Sequence, residues 1–184
     1  PPRLEGTTSV GGRRRLGFAE FGAPDGRVIF WLHGTPGARR QVPETARRLA
    51  EEQGLRIIGI DRPGIGSSTP HVYDRVVHFA TDLERVADSL GVQEMAVVGL
   101  SGGGPYALAA GHAHPERVVG VGVLGGVAPV PGVDAIDGGL VRLGARMRPV
   151  VALTRVPTGV ALTGAIRLAR PLASPAIDVY ARLS

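Results

Sequence analysis

Hydrophobic and polar positions along the chain predict strands and helices in alternation. Short, mostly apolar runs are separated by segments in which apolar residues recur every three or four positions. The predicted strands span residues 3–10, 14–21, 28–32, 55–60, 95–100 and 118–124, and the predicted helices span about 43–53, 75–90 and 103–113. The first two strands meet near Gly11 and Gly12, which predicts a hairpin.

The second predicted helix shows how these elements would pack. Its apolar positions at helical spacing are Val76, Phe79, Leu83, Val86 and Leu90, and Gly91 follows where a helix would stop. Apolar strands separated by helices are typical of a parallel sheet covered on both faces. We therefore predict an α/β fold, with a mostly parallel sheet, helices on both faces, and antiparallel strands at the N-terminal end.

A change of pattern near residue 128 predicts a second part of the chain. From Ala128 onward, short amphipathic stretches are interrupted by prolines such as Pro131, Pro149 and Pro171. We interpret residues 1–127 as the core, which ends after the strand at 118–124. We interpret residues 128–184 as a segment of a helical cap or lid.

The net charge of +5 at first suggests a nucleic-acid partner. Residues 1–138 hold 14 Arg against 15 acidic residues, a net charge of −1, whereas residues 139–184 hold 7 Arg against Asp178 alone, a net charge of +6. The positive charge is therefore confined to the last quarter of the chain. No basic motif with interleaved aromatic residues is present, so we expect no nucleic-acid partner.

Composition excludes several kinds of chemistry. The chain has no cysteine, which removes disulfides, thiolate metal ligands and a cysteine nucleophile. We expect neither a metal nor an organic cofactor. No signal peptide is visible, and the uncharged run at residues 118–133 is too short and too rich in Gly and Pro to span a bilayer. We expect a cytoplasmic protein, although the chain begins at Pro1 without a methionine.

The strongest chemical signal is the sequence G-L-S-G-G at residues 99–103. It stands where a predicted strand turns into a predicted helix and matches the G-x-S-x-G pattern of a nucleophile elbow. In so sharp a turn the Ser101 hydroxyl is exposed, and side chains at Gly99 and Gly103 would collide with the backbone. The following helix would also direct its N-terminal amides at a developing anion. We predict Ser101 as a nucleophile; the alternative is a small residue in a glycine turn.

A second glycine-rich loop, H-G-T-P-G at residues 33–37, follows the third predicted strand. The tetrahedral intermediate of acyl transfer needs two hydrogen-bond donors on its oxygen. We predict that the backbone amides of Thr35 and Gly102 supply them, with Gly34 allowing a close approach of the backbone. We expect His33 to hold this loop by a hydrogen bond. The alternative for the loop is a plain Gly/Pro turn.

Three motifs in this order resemble the α/β-hydrolase fold superfamily, in its esterase, lipase and peptidase branch. They are residues 33–37, D-R-P-G-I-G-S-S at residues 61–68, and G-L-S-G-G-G-P-Y-A at residues 99–107. The resemblance covers about residues 14–125 and implies a triad in the chain order Ser, acid, His. It also implies that Asp61 belongs to a loop at the mouth of the site, where we expect a structural role for it.

The acid and the histidine of the triad are not identified in this chain. After Ser101 the only histidines are His112 and His114, which we place at the solvated far end of the helix after the elbow. His71 and His78 precede the nucleophile and are interpreted as surface or lid residues. The family would supply its acid and histidine after two further strands. We therefore expect both beyond residue 184, and we expect the cap to be incomplete.

The first functional hypothesis is a serine hydrolase that cleaves a small-molecule carboxylic ester or related acyl compound through an acyl-enzyme. The loop at residues 33–37 is similar to that of proline iminopeptidases, so a peptidase of that kind is an alternative. A further alternative is a non-catalytic protein of this fold that uses the pocket to bind a ligand.

Basic residues of the predicted cap suggest a substrate preference. They are interleaved with apolar residues and comprise Arg142, Arg146, Arg148, Arg155, Arg167 and Arg170. As part of a lid, they would favour anionic substrates or contact with a membrane surface.

Overall fold

The computed structural model describes residues 1–127, and the predicted cap at 128–184 lies outside the described residues. The strands are β1 (Leu4–Ser9), β2 (Arg15–Gly22), β3 (Arg27–Leu32), β4 (Leu55–Ile60), β5 (Met95–Leu100) and β6 (Val118–Leu124). The helices are α1 (Glu44–Glu52), α2 (His78–Ser89) and α3 (Gly104–Ala113), and a short 3-10 turn, Ser101–Gly103, joins β5 to α3.

The six strands form one sheet in the order β1-β2-β4-β3-β5-β6. β1 pairs with β2 and β2 with β4 in antiparallel fashion, whereas β4, β3, β5 and β6 are parallel. Leu32 at the end of β3 pairs with Ile60 of β4 and with Gly99 of β5. The predicted α/β fold is confirmed, and this register brings the loops after β3, β4 and β5 to the same edge of the sheet.

Successive residues of a strand direct their side chains to opposite faces of the sheet. Both faces therefore carry apolar side chains, and helices cover both of them. Ile58 packs in one core cluster, which also contains buried residues of α2 and α3. Ile57 packs in the other, together with Trp31 and with Ala50 of α1. Both residues are buried, which explains why β4 reads as a continuous apolar run.

Helix α2 begins three residues later than its apolar spacing predicts. Residues Phe79, Leu83 and Val86 are fully buried, as expected for one face of a core helix. Val76 instead precedes the helix and is 42% exposed. Its carbonyl accepts a hydrogen bond from the Phe79 amide, three residues on, so residues 75–77 form a turn that leads into α2.

A buried carboxylate ties the segment before α2 to the N-terminal hairpin. Asp82 is 1% exposed and accepts two hydrogen bonds from the Arg14 guanidinium, at 2.5 and 2.9 Å. It also accepts one from the Tyr73 hydroxyl at 2.5 Å. Burial, together with the Asp82 carboxylate, raises the pKa of Tyr73, so its hydroxyl keeps the proton that it donates.

Among residues 1–127, no helix combines the length and the apolar character needed to cross a membrane.

Candidate active site

Ser101 occupies a strained position at the junction of β5 and α3. Its φ is +48°, and among the described residues no other non-glycine residue has a positive φ. Residues with a Cβ rarely adopt this conformation, which costs about 1–3 kcal/mol and persists only where the surroundings impose it. A strained serine between a strand and a helix is the geometry of a nucleophile elbow.

Glycines on either side of Ser101 allow the close backbone contacts of this turn. A Cβ on Gly99 would lie 2.5 Å from the Gly103 carbonyl oxygen, and a Cβ on Gly103 would lie 2.2 Å from the Leu32 carbonyl oxygen. Side chains cannot be accommodated at such distances without moving the backbone. The turn is therefore packed directly against the end of β3, which leads into the second predicted loop.

That second loop lies against the elbow. A Cβ on Gly34 would lie 3.5 Å from the Cβ of Ser101, and a Cβ on Gly102 would lie 2.8 Å from the Thr35 hydroxyl oxygen. The structure thus brings Thr35 and Gly102 together beside Ser101. This arrangement follows from the strand order, since β3 and β5 are neighbours and their carboxyl ends share one edge.

His33 connects the loop after β3 to the loop after β4. It is 1% exposed. Its Nδ1 lies 2.6 Å from the Gly34 carbonyl oxygen, and its Nε2 accepts the Arg62 amide proton at 3.3 Å. These two contacts are satisfied together by the neutral ring with its proton on Nδ1. Burial lowers the pKa of His33; the Gly34 contact and the Asp61 charge oppose this shift, and the Arg62 charge adds to it.

We predict that the stability contributed by His33 is lost as the pH falls. The unfolded chain takes up a proton on this ring near pH 6.5, its ordinary pKa, whereas the folded protein does so only at lower pH. The contribution is therefore present above pH 6.5 and disappears as the pH falls through the lower folded-state pKa. Melting temperatures of the parent and of His33→Gln should converge as the buffer is acidified. A difference that stays constant with pH would contradict the assignment.

Arg62 is a site residue that the sequence analysis did not single out. Its Nη2 donates to the Gly34 carbonyl at 3.0 Å and to the Thr35 hydroxyl at 2.7 Å, and its Nη1 donates to the Gly102 carbonyl at 3.1 Å. One side chain thus joins both loops beside Ser101. The available signal was its position directly after β4, beside β3 in a parallel sheet, where adjacent loops meet.

Asp61 precedes Arg62 and stabilises the loop after β4 through buried hydrogen bonds. Its carboxylate is fully buried and accepts hydrogen bonds from the Arg39 amide at 2.7 Å, the Arg39 guanidinium at 2.5 Å and the Ser67 amide at 3.0 Å. Its carbonyl accepts the Ser68 hydroxyl proton at 2.7 Å. With these oxygens occupied inside the protein, the residue organises the loop and does not face a substrate.

The remaining histidines lie on other elements. His112 and His114 are at the C-terminal end of α3, but His114 is 14% exposed, so its placement at a solvated helix end is wrong. It packs 3.6 Å from the carboxylates of Glu84 and Glu116. His78 begins α2, and His71 is exposed. Within residues 1–127, none of them hydrogen-bonds to the Ser101 hydroxyl, and no cluster of three His, Asp or Glu residues could hold a metal.

A cavity of about 370 Å³ lies next to Arg62 and Tyr106, and neither Ser101 nor the loop at residues 33–37 is among its described lining residues. Its lining includes Arg62, Ile65, His71, Tyr73, Val76 and Tyr106. The Arg62 guanidinium lies over the Tyr106 ring, 5.1 Å from its centroid, and the same guanidinium contacts Gly102. None of the described lining residues is acidic. The cavity is therefore partly apolar, partly aromatic, and cationic at Arg62, whose guanidinium also contacts Gly102 of the elbow.

Sheet order, strained serine and adjoining glycine loop together define an α/β protein built around a nucleophile elbow. The chain belongs to the alpha/beta hydrolase fold family, whose model matches residues 27–153. The resemblance drawn from the three sequence motifs is thereby confirmed.

Among curated proteins, the chain is similar to proline iminopeptidases. It is 33% identical over 129 residues to the one from Arabidopsis thaliana. This alignment covers 68% of this chain and 33% of the relative. It is 35% identical over 129 residues to the one from Neisseria meningitidis serogroup B, covering 68% of this chain and 41% of the relative. The chain thus spans about a third to two fifths of the length of these relatives.

Among solved structures, an epoxide hydrolase named CorEH superimposes with a TM-score of 0.64. The match covers 80% of this chain and 50% of that one, at 19% sequence identity. At this identity the similarity shows the fold alone.

Proposed function

We propose that the protein is a serine hydrolase that cleaves carboxylic esters through an acyl-enzyme. The Ser101 hydroxyl oxygen attacks the acyl carbonyl carbon, and the backbone amides of Thr35 and Gly102 donate hydrogen bonds to the oxyanion that forms. The bond to the alcohol oxygen then breaks, and that oxygen takes the proton removed from Ser101. Water next hydrolyses the acyl-enzyme. The histidine that carries these protons, and the acid that orients it, are outside the described residues.

The observation that carries this proposal is the conformation of Ser101. Close backbone packing at Gly99 and Gly103 surrounds this turn, and the Ser101 Cβ lies beside Gly34, in the loop that carries Thr35. Backbone strain at a non-glycine residue is found most often at active sites and ligand-binding sites, where the strained residue has a functional role. Membership of a hydrolase fold family supports the same conclusion.

Labelling by a fluorophosphonate probe tests the nucleophile. In the intact natural protein the probe should form one covalent adduct, and peptide mapping by mass spectrometry should place it on Ser101. An adduct confined to another residue, or no adduct on the folded protein, would exclude Ser101 as an activated nucleophile.

A proline-iminopeptidase-like peptidase is the second candidate, because curated relatives carry that name. Such a substrate presents a free amino-terminal ammonium group, which is stabilised by carboxylates. The nearest described cation to the elbow is instead the Arg62 guanidinium, which contacts Gly102, and the cavity next to Arg62 has no acidic residue in its described lining. The charge of the described part of the site therefore favours a neutral or anionic ester.

We predict faster turnover of an ester than of a prolyl amide. With p-nitrophenyl butyrate and prolyl-aminomethylcoumarin as substrates, kcat/KM should be about 100-fold or more in favour of the ester, since repulsion of the ammonium adds to the lower reactivity of the amide. A preference for the prolyl amide would instead support the peptidase.

A further inference from the structure

The backbone amide of Thr35 belongs to the peptide unit that begins with the Gly34 carbonyl. In a trans peptide the C=O and N–H bonds point in nearly opposite directions. Whatever fixes the Gly34 carbonyl therefore also aims the Thr35 N–H. Two groups do so in this structure, the Arg62 guanidinium at 3.0 Å and the His33 ring at 2.6 Å.

The second oxyanion donor, the Gly102 amide, is held from both sides. Its own peptide unit begins with the Ser101 carbonyl, which accepts the amide protons of Gly104 and, at 3.3 Å, of Val127. The carbonyl that follows, that of Gly102, accepts the Arg62 guanidinium at 3.1 Å. Arg62 therefore donates to the carbonyl of Gly102, the residue whose amide is one oxyanion donor. It also donates to the Gly34 carbonyl, which shares a peptide unit with the other donor, the Thr35 amide.

Charge strengthens this arrangement. A hydrogen bond from a guanidinium to a carbonyl is stronger than one between neutral groups. At the Gly34 carbonyl it also polarises the Gly34–Thr35 peptide, which makes the Thr35 N–H a better donor. The planar fork of arginine reaches acceptors on two loops at once, which a lysine ammonium on a flexible stem cannot reproduce.

We infer that Arg62 is a positioning residue for acyl transfer, which sets the separation and direction of the Thr35 and Gly102 amides. It touches neither Ser101 nor the reacting atoms in this role, but acts through the Gly34–Thr35 peptide unit and through the Gly102 carbonyl. The inference rests on the proposed function, because it presupposes an oxyanion beside Ser101. It predicts loss of transition-state stabilisation without an equal loss of substrate binding.

Variants at Arg62 test this in the intact natural protein, with Arg117→Ala as the matched control. Arg117 also donates to two backbone carbonyls, those of Val92 at 2.6 Å and Gln93 at 3.2 Å, but it lies just before β6, at the opposite edge of the sheet. The measurements are the rate of fluorophosphonate labelling of Ser101, kcat and KM for p-nitrophenyl butyrate, and the melting temperature.

Arg62→Ala should lower kcat and the labelling rate about 10- to 100-fold while KM changes little, since small displacements of oxyanion donors have effects of this size. Added guanidinium chloride, below unfolding concentrations, should restore part of the lost rate by occupying the vacated position. Arg117→Ala should lower the melting temperature, keep the parental labelling rate, and show no rescue.

Parental rates in Arg62→Ala, or losses matched by Arg117→Ala, would overturn the inference. If Arg62→Ala does not fold, Arg62→Lys takes its place, and it should label Ser101 severalfold more slowly than the parent. Parental labelling in that variant would count against the inference equally. Failure of the unmodified protein to label at Ser101 would be a different result, because it removes the proposed function itself.

Discussion

Replacing Ser101 by alanine should nearly abolish ester hydrolysis by the intact natural protein and leave only the small residual rate that substrate binding and the oxyanion donors provide. Loss of a serine nucleophile typically lowers kcat by about 10⁴- to 10⁶-fold, since no acyl-enzyme can form. The side chain lost is small and half-buried, so the folded state should persist. The measurements are kcat with p-nitrophenyl butyrate and the melting temperature of the same sample.

Ser89→Ala provides the matched control. Ser89 is an exposed serine at the end of α2 whose hydroxyl donates to the Val86 carbonyl at 2.8 Å. This variant should retain parental kcat. Substantial esterase activity in Ser101→Ala, with the protein folded, would show that another group performs the attack.

Replacing Asp61 by alanine should cause the largest loss of stability among these variants. The change leaves three donors inside the protein without their acceptor, namely the amides of Arg39 and Ser67 and the Arg39 guanidinium. Breaking a buried ion pair by removing one partner costs about 3–5 kcal/mol. We expect about 3 kcal/mol, because Arg39 keeps a second carboxylate, Glu5, at 3.0 Å. Urea denaturation of the two proteins measures the difference.

A surface ion pair supplies the comparison for Asp61. Glu52 lies 3.6 Å from Arg48 on α1, with both side chains more than half exposed. Glu52→Ala should change the free energy of unfolding by less than about 0.5 kcal/mol. If Asp61→Ala is as mild as this control, the carboxylate does not organise the loop.

Most of the fold is predictable from local pattern because each strand carries its own signal. The predicted bounds of β4, β5 and β6 coincide with those in the structure. β4 is largely buried on both faces and needs an unbroken apolar run, which is visible without tertiary information. β6 carries a similar apolar run, although most of its side chains are exposed among residues 1–127. Val76 marks the limit of this reasoning, since its spacing fits α2 while its backbone belongs to the preceding turn.

The candidate site also has a part that the local sequence predicts and a part that it does not. Gly99, Ser101 and Gly103 form a contiguous motif, so a strand before it and a helix after it are enough to predict the elbow. Arg62 is remote in the sequence from both of the loops that it joins. Its position directly after β4 places it among the loops at that edge of the sheet, but its partners on the other two loops are fixed only by the tertiary structure.

The sequence by itself determined the α/β architecture, the turn that carries Ser101, and the glycine loop around Thr35. These depend on apolar periodicity and on the steric freedom of glycine, both of which are local properties. Only the tertiary structure decided that the loops after β3, β4 and β5 meet at one edge, with Arg62 bonded between them. Strand order brings those loops together, and strand order depends on packing between residues far apart in the chain.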